Sequence, residues 1–279
     1  MWILVLPFLS AVLVKLLPPN FSIRAGLVFL LVQLALCGLI ANTVFSSRFV
    51  YYVVKNIFFI ADPLSFIFGI TSVFIGVFIY LFATGYFAEE QYQEQQKFSF
   101  WGLVFVGSMM GVAFSDNLIS LYMFWELAGL CSWKLIGFYR TDEHLLKADK
   151  AFLITSAGAG FMLLGFACIY ATTGSLSISQ IINHNVPPFV FALIFLGVLT
   201  KSATFPFQTW LPDASVAPTP VTSFLHAAVL VKIGIYGLAR LFDTTLTVSG
   251  NVIWAGYLAL FSSFAAGIVA MRETDIKRI

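Results

Sequence analysis

Nine apolar runs succeed one another along this 279-residue chain, at 2–17, 25–45, 63–85, 98–115, 117–139, 149–172, 187–211, 220–242 and 251–271. A helix needs about 20 apolar residues to cross the hydrocarbon core of a bilayer, and most of these runs approach or exceed that length. A water-soluble body of this size could not hide them all, because 60% of the residues are hydrophobic and only 10% are charged, against roughly 25% charged in an average soluble domain. Ten-residue segments of alternating polarity, the mark of a membrane β-barrel, are not visible. The chain therefore reads as an all-α integral membrane protein of about nine transmembrane helices. A soluble enzyme, a nucleic-acid binder and a disordered chain are excluded.

The connections carry less information. The fourth and fifth runs are joined tightly through Ser115 and Asp116, and residues 46–62 read as an interfacial or β-like loop because Arg48 and Lys55 interrupt them. Residues 174–185 suit a short surface helix. Met1-Trp2-Ile3 lacks a basic leader and a small-residue cleavage site, so the first run reads as a membrane helix and not a removable signal. Cys37, Cys131 and Cys168 lie in apolar runs with no metal-ligand spacing, so neither a zinc nor an iron–sulfur site is expected. Positive residues set orientation. Lys15, Arg24, Lys97, Arg140, Lys147, Lys150, Arg272, Lys277 and Arg278 fall on one side, while Arg48, Lys55 and Arg240 fall on the other. That asymmetry places the N-terminus outside and the C-terminus in the cytoplasm.

Charges inside the spans are the chemically informative residues. Glu126 sits about nine residues into its run, and a charge at the bilayer centre costs about 2.5–3.5 kcal/mol on insertion scales. Its structural reading is a hydrogen bond to a neighbouring helix; its functional reading is a proton-bearing group. Lys201 and Lys232 are each about ten residues from a span end, roughly 15 Å at 1.5 Å per residue, too far to reach water. Lys134 lies close enough to Tyr139 to snorkel. Pro206 follows Lys201 by five residues and clashes with the Ser202 carbonyl, so the helix should break there. Freed carbonyls would favour an ammonium, and Thr204 and Gln208 would share the helical face of Lys201. His226 lies six residues before Lys232, about 120° around an α-helix, and reads either as a relay or as a helix–helix hydrogen bond. Buried lysines and acids change charge when a neighbour does, which is hardware for moving protons and not for covalent catalysis. The SAGAG stretch at 156–160 reads as helix packing.

FSDNLISLYMFWEL (114–127), LTKSATFPFQTWLPDA (199–214), SFLHAAVLVKIGIYGLAR (223–240) and ETDIKRI (273–279) resemble the antiporter-like, proton-translocating subunits of respiratory complex I, membrane-bound hydrogenases and multisubunit cation/proton antiporters. The resemblance implies a five-helix antiporter-like repeat with a broken helix and a half-channel. Residues 98–242 would form that first repeat, after N-terminal helices in 1–97, and 243–279 would open a second, truncated one. It also implies a relay in which Glu126 is the fifth-helix glutamate, Lys201 the lysine of the broken seventh helix, and His226 and Lys232 the eighth-helix positions. Tightening of the glutamate–lysine pair would hold the proton, and loosening would pass it on.

The resemblance places the chain in an energy-coupling membrane, that of a bacterial or archaeal cell or an organelle inner membrane. Other membrane subunits are the expected partners, and protons, with sodium as a further candidate, the expected cargo. No cofactor is expected, since no motif for nicotinamide, flavin, haem or iron–sulfur binding is present. Ala159 stands where many long complex I subunits carry an aspartate, which moves weight toward hydrogenase or antiporter relatives. The leading function is proton translocation within a complex-I-like or hydrogenase-like complex. The alternatives are a subunit of a cation/proton antiporter without redox coupling and a non-conducting truncated scaffold.

Overall fold

Local chemistry sets several of the helix ends. Helix α3 (Pro63–Tyr86) starts at Asp62, whose Oδ1 accepts from the Ser65 N–H at 2.8 Å while Ser65 Oγ accepts from the Asp62 N–H at 2.9 Å. The pair satisfies groups that a helix start leaves open, and Pro63 in the first turn has no N–H to satisfy. Helix α5 (Leu118–Ile136) is capped by Asn117, whose Oδ1 accepts from the N–H groups of Ile119 and Ser120. Helix α6 (Asp142–Thr173) begins with Thr141 as its cap and Asp142 and Glu143 in its first turn, on the positive end of the helix dipole. It stops at Gly174, which takes a left-handed φ of 70° that a residue with a Cβ adopts only at a cost.

The structure is a computed structural model and describes residues 2–47, 50–54, 57–87, 92–228, 230–243, 245–250, 252–275 and 277. The remaining elements are helices α1 (Trp2–Leu16), α2 (Ser22–Ser47), α4 (Tyr92–Phe114), α7 (Pro188–Lys201), α8 (Trp210–Asp213), α9 (Thr219–Thr222), α10 (Lys232–Leu238) and α11 (Ile253–Ala270), with strands β1 (Val50–Val54), β2 (Ile57–Ala61), β3 (His184–Val186) and β4 (Leu246–Val248). Five helices among the described residues are long and apolar enough to cross a membrane: α2, α3, α4, α6 and α11. Large apolar side chains lie open on their surfaces, among them Phe78 of α3, Leu153 and Leu164 of α6, and Leu260 and Phe264 of α11. Such surfaces are unfavourable in water and ordinary against lipid tails.

The chain forms two units, Met1–Leu135 with Thr219–Val229, and Ile136–Pro218 with Leu230–Ile279. In the first, α1 to α4 pack on one another around Tyr80, whose hydroxyl donates to the Ser99 carbonyl at 2.6 Å. Phe224 inserts its ring among Tyr80, Phe98 and Phe105, which anchors the π-helical turn Ser223–Ala228 to this unit. Residues 46–62, expected as an interfacial or β-like loop, contain an antiparallel hairpin of β1 and β2; Arg48 and Lys55 lie outside the described residues. In the second unit α6 packs along α7, α7 against α10, and β3 pairs in parallel with β4. His144 and Lys150 of α6 contact Val216 and Asp213, and Lys277 contacts Ala217. One end of the unit thus gathers the start of α6, the segment after α7 and the chain's last described residue, while β3 and β4 share a sheet beyond the other ends of α6 and α10.

The run 187–211 breaks beside Lys201, as Pro206 implied: α7 ends at Lys201 and the next helical turn starts at Trp210. Elsewhere the structure departs from the sequence reading. The run 220–242 is a series of short pieces, with π-helical turns at Ser223–Ala228 and Ala239–Asp243 around α10; hydropathy measures apolarity and not the hydrogen-bond register of the backbone. Residues 174–185 make a 3₁₀ turn at Ile178–Gln180 and then β3, not a surface helix, because the backbone of 184–186 finds a partner in β4. Arg240, counted above with the loop charges, is 4% exposed and donates from Nε to the Tyr236 hydroxyl at 3.1 Å. Arg278 lies outside the described residues.

Candidate functional site

Lys201 is the last residue of α7 and is 1% exposed, one of the largest fully buried side chains in the protein. The backbone beyond it turns back on the helix. The N–H groups of Ser202 and Thr204 donate to the carbonyls of Val198 and Leu199, both at 2.9 Å. Ala203 takes a left-handed φ of 51°, and the Phe205–Pro206 bond is cis. Non-helical backbone survives at membrane depth only where protein or water satisfies it. Here the Phe205 N–H donates to Ser262 Oγ of α11 at 3.0 Å, and the Trp210 indole N–H donates to the Thr200 carbonyl at 2.9 Å. Because the α-helix ends at Lys201, Thr204 and Gln208 do not continue its helical face, contrary to the spacing argument.

The residues on either side of Lys201 are wedged against glycines. A methyl group on Gly158 of α6 would collide with the Thr200 side chain, coming 2.6 Å from Cγ2. One on Gly234 of α10 would collide with Ser202 Oγ and come 2.9 Å from the Val198 carbonyl oxygen. Gly197 of α7 approaches α6 closely as well, with the Gly158 carbonyl 3.2 Å from where its Cβ would be. The SAGAG stretch therefore acts through Gly158 as a packing surface. Gly158→Ala is expected to destabilise the protein by about 1–3 kcal/mol, the usual cost of overpacking. A thermal-unfolding midpoint unchanged from wild type would show that α6 and α7 do not meet here.

The other candidates occupy different surroundings. Glu126 lies on α5, half-buried, in the first unit. His226 lies in the π-helical turn anchored by Phe224, also in the first unit, and its buried Nε2 has no hydrogen-bond partner among the described residues. The 120° relation to Lys232 does not hold, since the chain between them is not a regular α-helix. Lys232 opens α10 in the second unit and is exposed, not buried as its span position suggested. The physical reason is the stripe of α10: Ile233, Gly234, Tyr236 and Gly237 are buried, with Gly234 against α7, which leaves Lys232 and Ile235 on the outward side. Lys134 holds its ammonium over the Trp133 ring, 4.0 Å from the centroid, a cation–π contact. Pro206 lies within the non-helical stretch after Lys201. Sequence reasoning missed Trp210 as a partner of the helix end; the signal was an indole N–H in a membrane segment, which must find an acceptor.

Residues 115–279 match the family described as "NADH:quinone oxidoreductase/Mrp antiporter, TM", a stretch that contains Glu126, Lys201, Pro206, His226 and Lys232. The chain belongs to this family. Proteins similar to it include the Na(+)/H(+) antiporter subunit A1 of Staphylococcus aureus strain JH9, 38% identical over 226 residues that cover 78% of this chain and 28% of the relative. The chain thus spans little more than a quarter of the length of that relative. Its fold resembles a chain of the Mrp complex from Dietzia sp. DQ12-45-1b, with a TM-score of 0.83 and 27% identity over 99% of this chain and 32% of the other. It also resembles a chain of the membrane-bound sulfane sulfur reductase, an archaeal respiratory membrane complex, with a TM-score of 0.83 and 22% identity over 99% of this chain and 60% of the other. The last likeness is one of fold alone. The family resemblance drawn from the motifs holds, and the chain is an antiporter-like membrane protein.

Proposed function

We propose that this chain is a proton-translocating part of a multisubunit cation/proton antiporter, with Lys201 as the group that takes up and releases the proton. The observation that carries this reading is a fully buried lysine at the end of a broken helix. Glu126 acts as its countercharge, and His226 and Lys232 receive the proton in turn, within a repeat that runs over 98–242. An ionised Glu126 holds the proton on Lys201; withdrawal of that charge lets it go. Lys232, exposed on this chain, would then meet a neighbouring helix and not lipid, since a charge facing hydrocarbon is costly. The 38% identity to a protein named as a Na(+)/H(+) antiporter subunit favours exchange with sodium. A second reading, translocation driven by redox chemistry in partner subunits, is favoured by the family description, which joins NADH:quinone oxidoreductase to the Mrp antiporter.

The two readings part in everted vesicles that contain the native complex in a host without other antiporters. Once respiration has acidified the vesicles, added sodium is expected to release the protons, and deletion of this chain to abolish that release. Proton movement that ignores sodium and follows electron transfer through the complex would overturn the antiporter reading in favour of the second.

The nine spans and their orientation belong to the same proposal. The end of the second unit that holds Lys147, Lys150, Arg272 and Lys277 gathers most of the loop Lys and Arg residues of that unit, which favours the cytoplasm. Cysteines introduced as Asp142→Cys and Glu273→Cys are expected to react with an impermeant maleimide only from the cytoplasmic side. Labelling of either from outside reverses the topology.

A further inference from the structure

The one-turn helix α8 has no obvious reason to exist. Four residues do not hold a helix by themselves, and its position directly after the break puts it where the chain could simply run on to α9. Both of its ends are tied. At the inner end Trp210, 1% exposed, donates its indole N–H to the Thr200 carbonyl. That oxygen belongs to the peptide whose N–H is that of Lys201. At the outer end Asp213 Oδ2 accepts from Lys150 Nζ of α6 at 2.6 Å. The 3₁₀ turn Ala214–Val216 continues directly from it and is held by His144, whose Nε2 lies 3.1 Å from the Val216 carbonyl oxygen. Lys277 Nζ donates to the carbonyl of Ala217 at 3.3 Å.

The glycine contacts complete the arrangement. Thr200 is wedged against Gly158 and Ser202 against Gly234, so the backbone is held on both sides of Lys201, and Trp210 fixes the peptide plane between Thr200 and Lys201. The Lys201 side chain thus extends from a backbone that is held in place. A proton carrier needs a fixed base, since a shift there of about 1 Å misplaces the tip for transfer.

We infer that Trp210 is a positioning residue for Lys201, and that α8 is the strut that carries it. The inference rests on the reading of Lys201 as the proton carrier. The indole does not touch the proton. It supplies a hydrogen bond to the helix end from which the carrier extends, and the Lys150–Asp213 pair anchors the strut from outside.

The test uses the assembled complex, with two unnatural residues placed at position 210. Benzothienylalanine keeps the ring's size and replaces the N–H by sulfur; 5-fluorotryptophan keeps the N–H. Rates are counted per assembled complex. The sulfur analogue is expected to lower the maximal rate of proton movement about three- to tenfold, as loss of one buried hydrogen bond implies, with the cation KM unchanged. The fluorinated indole is expected to retain the wild-type rate. Asp213→Asn, a partly exposed anchor that leaves the indole intact, is expected to lower the rate less than threefold. A wild-type rate with the sulfur analogue, or equal losses with both indole analogues, overturns the inference. Lys201→Arg in the same preparation separates the two levels. If it is inactive while the sulfur analogue is normal, only the positioning role falls. If it is active, the carrier reading fails and the inference falls with it.

Discussion

Lys201→Arg is expected to lower proton movement by about 100-fold or more in a complex that still assembles. Charge and hydrogen-bonding capacity are kept, so a lysine with a purely structural role would tolerate the change in part. A carrier would not. A guanidinium releases its proton at least about two pH units less readily than an ammonium, and each unit is a factor of ten in the fraction deprotonated. The site adds a second obstacle, because Lys201 is 1% exposed and its flanking residues are wedged against Gly158 and Gly234, which leaves little room for a larger planar head. Lys134→Ala is the matched control. That lysine sits over the Trp133 ring and reads as a snorkelling residue near the span end, and its loss is expected to change the rate by less than about twofold. The measurement is proton movement in everted vesicles, with assembly of each variant checked by copurification of partner subunits. Full activity of assembled Lys201→Arg removes Lys201 from the proton path.

Glu126→Gln should lower coupled proton movement by about tenfold. The substitution keeps size and most hydrogen bonding and deletes only the charge. If Glu126 controls how firmly Lys201 holds its proton, its loss removes an attraction whose change by about 1.4 kcal/mol alters the proton affinity tenfold. Glu126 is half-buried on α5, away from full solvation, so its charge is screened less than a surface charge would be. An effect below twofold, with assembly intact, would make Glu126 a helix–helix contact and not a switch. A double variant with Lys201→Arg provides the coupling test. If the two residues act as a pair, the double variant loses little more than Lys201→Arg alone; independent losses would multiply.

The readable parts of this protein are those that depend on neighbours in the chain. Asp62, Asn117 and Thr141 precede helices that begin where their side chains can accept the first open N–H groups, and Gly174 follows one that ends where only a small residue fits easily. Apolarity over about 20 residues is likewise a local property, so α2, α3 and α6 fall close to their expected ranges. Pro206 was rightly a sign of irregular backbone, since a proline can neither donate nor fit inside the last turn. Its clash with the Ser202 carbonyl put the break beside Lys201. The helix stops at Lys201, five residues earlier, because Trp210 and Ser262 offer partners to the backbone on either side of the break.

Apolar runs and composition are enough to put this chain in a bilayer, to make its backbone mainly helical, and to set Glu126 and Lys201 in runs where charge is expensive. Which charges are hidden depends on how the segments pack. Lys201 and Lys232 look alike as central lysines, yet one is enclosed and the other exposed, because α10 turns Gly234 and not Lys232 toward α7. Arg240 looks like a loop charge and is buried against Tyr236. Burial depends on which face of a helix meets a neighbour, and that is settled by close approach between glycines and side chains far apart in the chain. Transfer from water to lipid acts on each segment alone, whereas such packing acts between segments.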